Sequence, residues 1–194
     1  MTLDEYFPPG GESSFRLVGR SLCNIFKNGN CWPEYPYVLA LSRGQYGLVL
    51  PIRHGGSCTD IWRDAEFSLI LCKKRWYSFP APVACVGFGL VADATPHLLV
   101  KQLQGVPGGK EKLGTIKWER LLLTAVITLA RSLKLEEVRI QKSKYNNWLK
   151  SMVAKNSGEA EMQFHRFHLR YDVLPKRMGF REESDPSTWT LRLR

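Results

Sequence analysis

Apolar and polar positions follow two different patterns along this chain. From Tyr37 to Gly105 short apolar runs alternate with Gly, Pro, Ser and Asp. The runs YVLALS, YGLVLPIR, EFSLILCKK, PVACVGFGLVA and HLLVKQLQG have strand length and are bounded by turn residues. HGGSCTD and SFPAP read as the loops between them. Together they predict a meander of four or five strands, taken in sequence order.

The period then changes. From Lys117 to Leu133 polar residues recur at Lys117, Arg120, Thr124, Thr128 and Arg131, with Glu119 and Ser132 beside them. Spacings of three and four place them on one narrow stripe of a helix. Trp118, Leu122, Val126, Leu129 and Leu133 leave the rest of the circumference apolar. The expectation is a long helix lying on a sheet, with Thr115 as its N-cap. LKLEEVRIQ follows as a turn and a strand, with Val138 and Ile140 on one face. A strand, a crossover helix and a strand in this order imply a right-handed parallel unit.

The stretch from 141 to about 170 is polar with scattered aromatics and reads as less regular. Asp172 is then expected to cap a short helix, with Pro175 in its first turn. Gly179 supplies a left-handed C-terminal stop, and STWTLRLR closes the chain as an alternating strand. Residues 1–36, with PPGGESS and KNGNCWPEYP, read as an irregular N-terminal segment. Residues 37–194 read as one domain of mixed α/β (α+β) class. No internal repeat is present.

Composition narrows the function classes. The chain has 194 residues, 44% of them hydrophobic, enough to bury about 70% of the surface its unfolded form exposes. No apolar run approaches the ~20 residues that cross a bilayer, and MTLDEYFPPGGESS is not a secretory signal. The expected location is the cytoplasm, with no membrane partner. Five widely spaced cysteines without a CxxC pair argue against a disulfide framework and against a metal site. Cys72 and Cys85 fall in apolar strand patterns and read as core thiols. The net charge is +10, which points to an anionic partner: a nucleic acid, an acidic protein or a phosphorylated cofactor.

The order of strands, glycine loop, long helix, strand, short helix ending in Gly179-Phe180 and final strand resembles the GCN5-related N-acetyltransferase (GNAT) family. The resemblance runs from Val83 to Arg194. RYDVLPKRMGFREESDPSTWTLRL and LQGV followed by WERLLLTAVITLA also resemble a bacterial group of acetyltransferase-like proteins. It implies a GNAT-like mixed, twisted sheet under a long covering helix, and acetyl-CoA as cofactor. In that family a loop holds the cofactor pyrophosphate, with the pattern Gln or Arg, two residues, Gly, one residue, then Gly or Ala. Here Gln102-Leu103-Gln104-Gly105 is followed by Val106, Pro107 and Gly108, so the second glycine comes one residue late. Lys112-Leu113-Gly114-Thr115 at the helix start is the second candidate. The family tyrosine stands about four residues before the glycine of GF. Pro175 takes that place here, and Tyr171 lies about one turn upstream.

These residues carry a definite chemistry. Glycines expose backbone N–H groups, and a helix N-terminus adds about half a positive charge. Gln104, Gly105, Val106, Gly108, Gly109, Gly114 and Thr115, with Lys110 and Lys112, are therefore the candidate phosphate contacts. The alternative is a connecting loop made soluble by lysines. Asn147, with Asn146, is the candidate contact for the pantetheine arm, the alternative being turn chemistry. Tyr171 is the candidate acid for a thiolate leaving group, the alternative being a packed core tyrosine. Glu119 is the first candidate base, with Asp93, His97, His165 and His168 beside it. The implied reaction transfers an acetyl group to an amine of an acceptor, and a homodimer is one expected assembly. The second reading is a non-catalytic module that binds nucleic acid or protein through a basic surface. Its candidates lie in KKRWYSF (Lys73, Lys74, Arg75, Trp76) and FHRFHLRY (Arg166, Arg170), where basic and aromatic residues interleave.

Overall fold

A computed structural model describes residues 37–43, 65–73, 81–106, 117–154 and 160–193. Four strands run antiparallel in sequence order: β1 (Tyr37–Arg43), β2 (Phe67–Lys73), β3 (Ala81–Val91) and β4 (His97–Gly105). Helix α1 (Trp118–Ser132) then crosses over to β5 (Glu137–Gln141), which pairs parallel with β4. The last strand, β6 (Thr188–Arg192), pairs antiparallel with β5. The described residues thus form one six-stranded mixed sheet in the order β1 to β6. The run YGLVLPIR and the N-terminal segment 1–36 lie outside the described residues.

The helix stripe read from the sequence is the one the fold uses. Leu121, Leu122, Leu123, Ala125, Val126, Leu129 and Ala130 are buried. Lys117, Arg120 and Arg131 face solvent, with Thr124 and Thr128 half-buried between. The helix packs across β2 to β5 and forms one core with Leu69, Leu71, Val86, Phe88, Leu98, Val100, Leu103, Val138 and Ile140. Burying a side chain of this kind contributes about 1.5–3 kcal/mol. The core thus ties the meander to the crossover. Cys85 is buried in β3.

Between β5 and β6 the structure corrects the sequence reading. The described residues between 143 and 177 are largely helical, with a 3-10 turn (Ser143–Tyr145), α2 (Asn147–Ala154) and α3 (Ala160–His168). The segment lacks a helical signature because Met162, Phe164 and Leu169 point to solvent, so its apolar residues do not share one buried stripe. Asp172 is not a cap. It lies inside a π-turn (Leu169–Val173) that joins α3 to α4 (Leu174–Arg177). Pro175 accounts for the turn. Proline has no N–H for the Tyr171 carbonyl and its ring would crowd that carbonyl. The chain widens by one residue instead, and the Leu174 N–H reaches back to the Leu169 carbonyl. The expected stop at Gly179 is present at φ +90°. The Phe180 N–H donates to Pro175 O at 3.0 Å and the Gly179 N–H to Lys176 O at 3.1 Å, a Schellman closure.

Candidate functional site

Strand β4 carries the site because it changes partners along its length. Its ladder to β5 runs from His97 beside Glu137 to Val100 beside Ile140 and stops there, while β4 continues to Gly105. The stop coincides with a bulge. On the β3 side, Phe88 pairs with Val100 and Gly87 with Gln102, leaving Lys101 as the extra residue. The side-chain alternation shifts accordingly. Leu98 and Val100 enter the core, and after the bulge Leu103 does. Bulges re-aim a strand and end pairing next to functional sites.

Two side chains meet β4 beyond the last β5 pair. Asn146 Nδ2 donates to the Lys101 carbonyl at 3.4 Å, and Asn146 Oδ1 accepts the Leu149 N–H at 3.2 Å. This one residue caps α2 and reaches the bulge. The Leu103 N–H donates to the Tyr171 hydroxyl at 2.6 Å. Tyr171 is 2% exposed, and its ring stacks on Phe167 at 5.2 Å between centroids. The π-turn described above is what aims it at β4.

Asp172 fixes that turn to the sheet. Its carboxylate accepts Ser143 Oγ and the Ser143 N–H from the 3-10 turn. It also takes Trp189 Nε1 from β6 at 3.1 Å and pairs with His168 Nδ1 from α3 at 3.0 Å. Burial pulls this carboxyl upward. The hydrogen bonds from Ser143, Trp189 and His168 outweigh it and hold the group below the usual aspartate value.

The residues singled out from the sequence fall into three places. At the carboxyl end of β4, Gln104 accepts the Gln102 amide at 2.6 Å, and Val106 closes onto Val83 O at 2.9 Å. A Cβ on Gly105 would stand 3.5 Å from the Trp118 ring, in ordinary contact with it. Glu119 accepts Arg170 Nε at 3.3 Å, and the Arg170 guanidinium lies 5.0 Å from the Trp118 ring centroid. The candidate base and a candidate nucleic-acid contact are therefore each other's partners. Further from this group, Asn147 is the exposed first residue of α2, so the interior contact belongs to Asn146. Arg166 is half-buried, and Lys73 ends β2. His97 and Asp93 sit at the opposite end of β4, with His97 Nδ1 on Thr95 O at 2.8 Å. Gly108, Gly109, Lys110, Lys112, Gly114 and Thr115 lie outside the described residues, as do Lys74, Arg75 and Trp76. The observed N-cap position of α1 is Lys117, without a side-chain cap.

Sequence reasoning missed Leu103, Ser143 and Asp172 as members of this site and offered Asn146 beside Asn147. One signal was available: Pro175 four residues after Tyr171 forbids the ordinary helical bond there. Among the described residues no three His, Cys, Asp or Glu side chains converge as a metal site, and no helix is long and apolar enough to cross a membrane.

The fold is a mixed α+β sheet under one long helix, with a short helix-and-strand ending, as in GNAT-like folds. No protein-family model matches the chain, and no curated protein matches it. Among solved structures the chain is similar to a KacTA–DNA complex, at 8% identity and TM-score 0.36, covering 65% of this chain and 67% of that one. It is also similar to a mutant AtaT toxin bound to the C-terminus of the antitoxin AtaR, at 11% identity and TM-score 0.35, with 65% and 67% covered. The same toxin and antitoxin with acetyl-CoA gives 11% identity and TM-score 0.34 over the same shares.

Proposed function

We propose that the chain is an acyltransferase that moves the acetyl group of acetyl-CoA to an amine. One observation carries this reading. The β4–β5 ladder ends at Val100 and Ile140, and beyond it the buried Leu103 N–H is met by a phenolic hydroxyl instead of a strand. A backbone donor and a hydroxyl side by side are the two groups a thioester needs, one for its carbonyl oxygen and one for its sulfur. The donor set therefore fits the cofactor, which would supply the activated acyl group. On binding, the Leu103 N–H would exchange the Tyr171 hydroxyl for the carbonyl oxygen and stabilise negative charge there. The Tyr171 hydroxyl would give up its proton to the leaving sulfur. Glu119, at the start of α1, would take the proton of the attacking amine and is held in place by Arg170. Asn146 would keep the bulge apart from β5. The loop 107–116, with Gly108, Gly109, Lys110, Lys112, Gly114 and Thr115, would receive the phosphates.

Calorimetric titration with acetyl-CoA tests this directly. Micromolar binding is expected, retained in Tyr171→Phe while turnover of an amine acceptor falls about 100-fold. No heat at high micromolar cofactor overturns the reading. A second reading, a non-catalytic module, draws support from the same hydrogen bond, because the Tyr171 hydroxyl already serves the fold. It predicts that absence of heat.

A further inference from the structure

The segment that follows β5 brings lysines onto two aromatic rings. Lys144 Nζ lies 4.9 Å and Lys150 Nζ 5.7 Å from the Tyr145 ring centroid. Lys142 Nζ lies 4.3 Å and Lys176 Nζ 4.5 Å from the Trp189 ring centroid. These two groups are neighbours. Lys142 bonds Glu182, and the charges of Lys144 and Lys176 both act on that same carboxylate. Asp172, the other acidic group beside them, is already shared among Ser143, Trp189 and His168. Of the four lysines only Lys142 has a carboxylate partner among the described residues. Lys144, Lys150 and Lys176 are exposed and make no ion pair among the described residues.

Of the basic residues that the sequence offered for nucleic acid, two are described with their side chains, Arg166 and Arg170. Arg170 is tied to Glu119 and stacked on Trp118, and Arg166 is half-buried. Lys144, Lys150 and Lys176 differ from these in carrying exposed charge beside an aromatic ring. We infer that these three lysines, with Tyr145 between the first two, form a binding surface for single-stranded nucleic acid. An open patch built from three elements does not enclose a free nucleotide, which needs a concave site. A polymer instead sums several weak phosphate contacts, and an aromatic ring among the lysines offers a base a surface to stack on. The surface borders the proposed thioester site, since Tyr145 adjoins Asn146 in the chain, but it does not depend on that site being active.

The test is fluorescence anisotropy of the full chain with a labelled 20-nucleotide oligouridylate across a salt series. Two variants lose the same charge: Lys144→Ala/Lys150→Ala in the patch, and Arg131→Ala/Lys134→Ala at the end of α1. The patch variant is expected to bind about tenfold more weakly and to lower the salt slope by about 1.4, two phosphate contacts on a single strand. The α1 variant should stay within about twofold of the parent, and Tyr145→Leu should lose about tenfold. Thermal melting of each variant confirms that it is folded. Equal weakening by both double variants overturns the proposal, since net charge alone would then explain binding. So does displacement of the oligonucleotide by polyglutamate of matched charge, which marks the patch as a protein contact. A duplex that binds as tightly as the single strand also overturns it.

Discussion

The Tyr171 hydroxyl and the Leu103 N–H, 68 residues apart in sequence, meet at 2.6 Å inside the core. This contact joins the π-turn to β4 just past the bulge, where β5 no longer pairs. It satisfies a buried backbone donor that the sheet leaves over, and such a donor without a partner costs about 1–3 kcal/mol. Replacing Tyr171 by Phe keeps the ring on Phe167 and removes only the acceptor. The expected result is a loss of about 1–3 kcal/mol in urea unfolding, with faster hydrogen exchange at the Leu103 amide than at Val100. Unchanged exchange at Leu103 would show that the contact does not hold in solution.

Two helices here end in the same closure with different residues at the left-handed position. After α4 it is Gly179, at φ +90°. After α1 it is Lys134, at φ 56°, with the Leu135 N–H on Ala130 O and the Lys134 N–H on Arg131 O, both at 3.0 Å. A side chain at such a φ costs about 1 kcal/mol or more, a cost glycine avoids. Lys134→Gly is therefore expected to raise stability by about 0.5–1 kcal/mol, and Gly179→Ala to lower it by about 1 kcal/mol. Chemical denaturation of both variants checks the opposite signs. Two shifts of the same sign would rule out this account of the caps.

Much of this architecture is legible in the residues themselves. HLLVKQLQG is β4 from end to end, the polar stripe of α1 faces solvent as its spacing requires, and Gly179 stops its helix. These features are local, and period or turn chemistry encodes them. The site is not local. Asn146 was as visible as Asn147, but only the fold decides which of the two faces β4. The bulge at Lys101 depends on how β3 registers against β4. The role of Asp172 depends on Ser143 and Trp189 arriving from two other elements. Helix α3 was illegible for another reason: Met162 and Phe164 are exposed, and Phe167 alone of its aromatic residues packs on the core.

Strand β3 carries two glycines in different surroundings. A Cβ on Gly87 would stand 2.8 Å from Gln102 Oε1 and 2.9 Å from the Ala65 Cβ. One on Gly89 would meet nothing nearer than Lys101 Nζ at 4.0 Å. Gln102 is 4% exposed and donates to Gln104, so it has little room to yield. Gly87→Ala should cost about 1–3 kcal/mol by overpacking beside the bulge. Gly89→Ala should stay within about 0.5 kcal/mol of the parent. Thermal melts of the pair measure the difference, and equal melting points would contradict the packing described.

Asp172 gives the chain a pH dependence whose sign is fixed by its surroundings. Hydrogen bonds from Ser143, Trp189 and His168 hold its folded-state pKa below the ordinary value of 3.8. The folded form therefore binds fewer protons than the unfolded form in that range. The stabilisation is fully present above about pH 4 to 5 and is lost as pH falls through the folded-state value. Asp185, held down by Ser187, adds to the same acid limb. Asp172→Asn removes one contribution, and its amide cannot accept the Ser143 and Trp189 donors as a carboxylate does. At pH 7 the variant should be about 1–3 kcal/mol less stable. Its stability should fall less steeply than the parent's between pH 5 and the acid transition. Urea unfolding of both proteins at a series of pH values decides the matter. Parallel curves for the two would mean that Asp172 titrates alike in the folded and unfolded chain, and that its four hydrogen bonds do not anchor the π-turn.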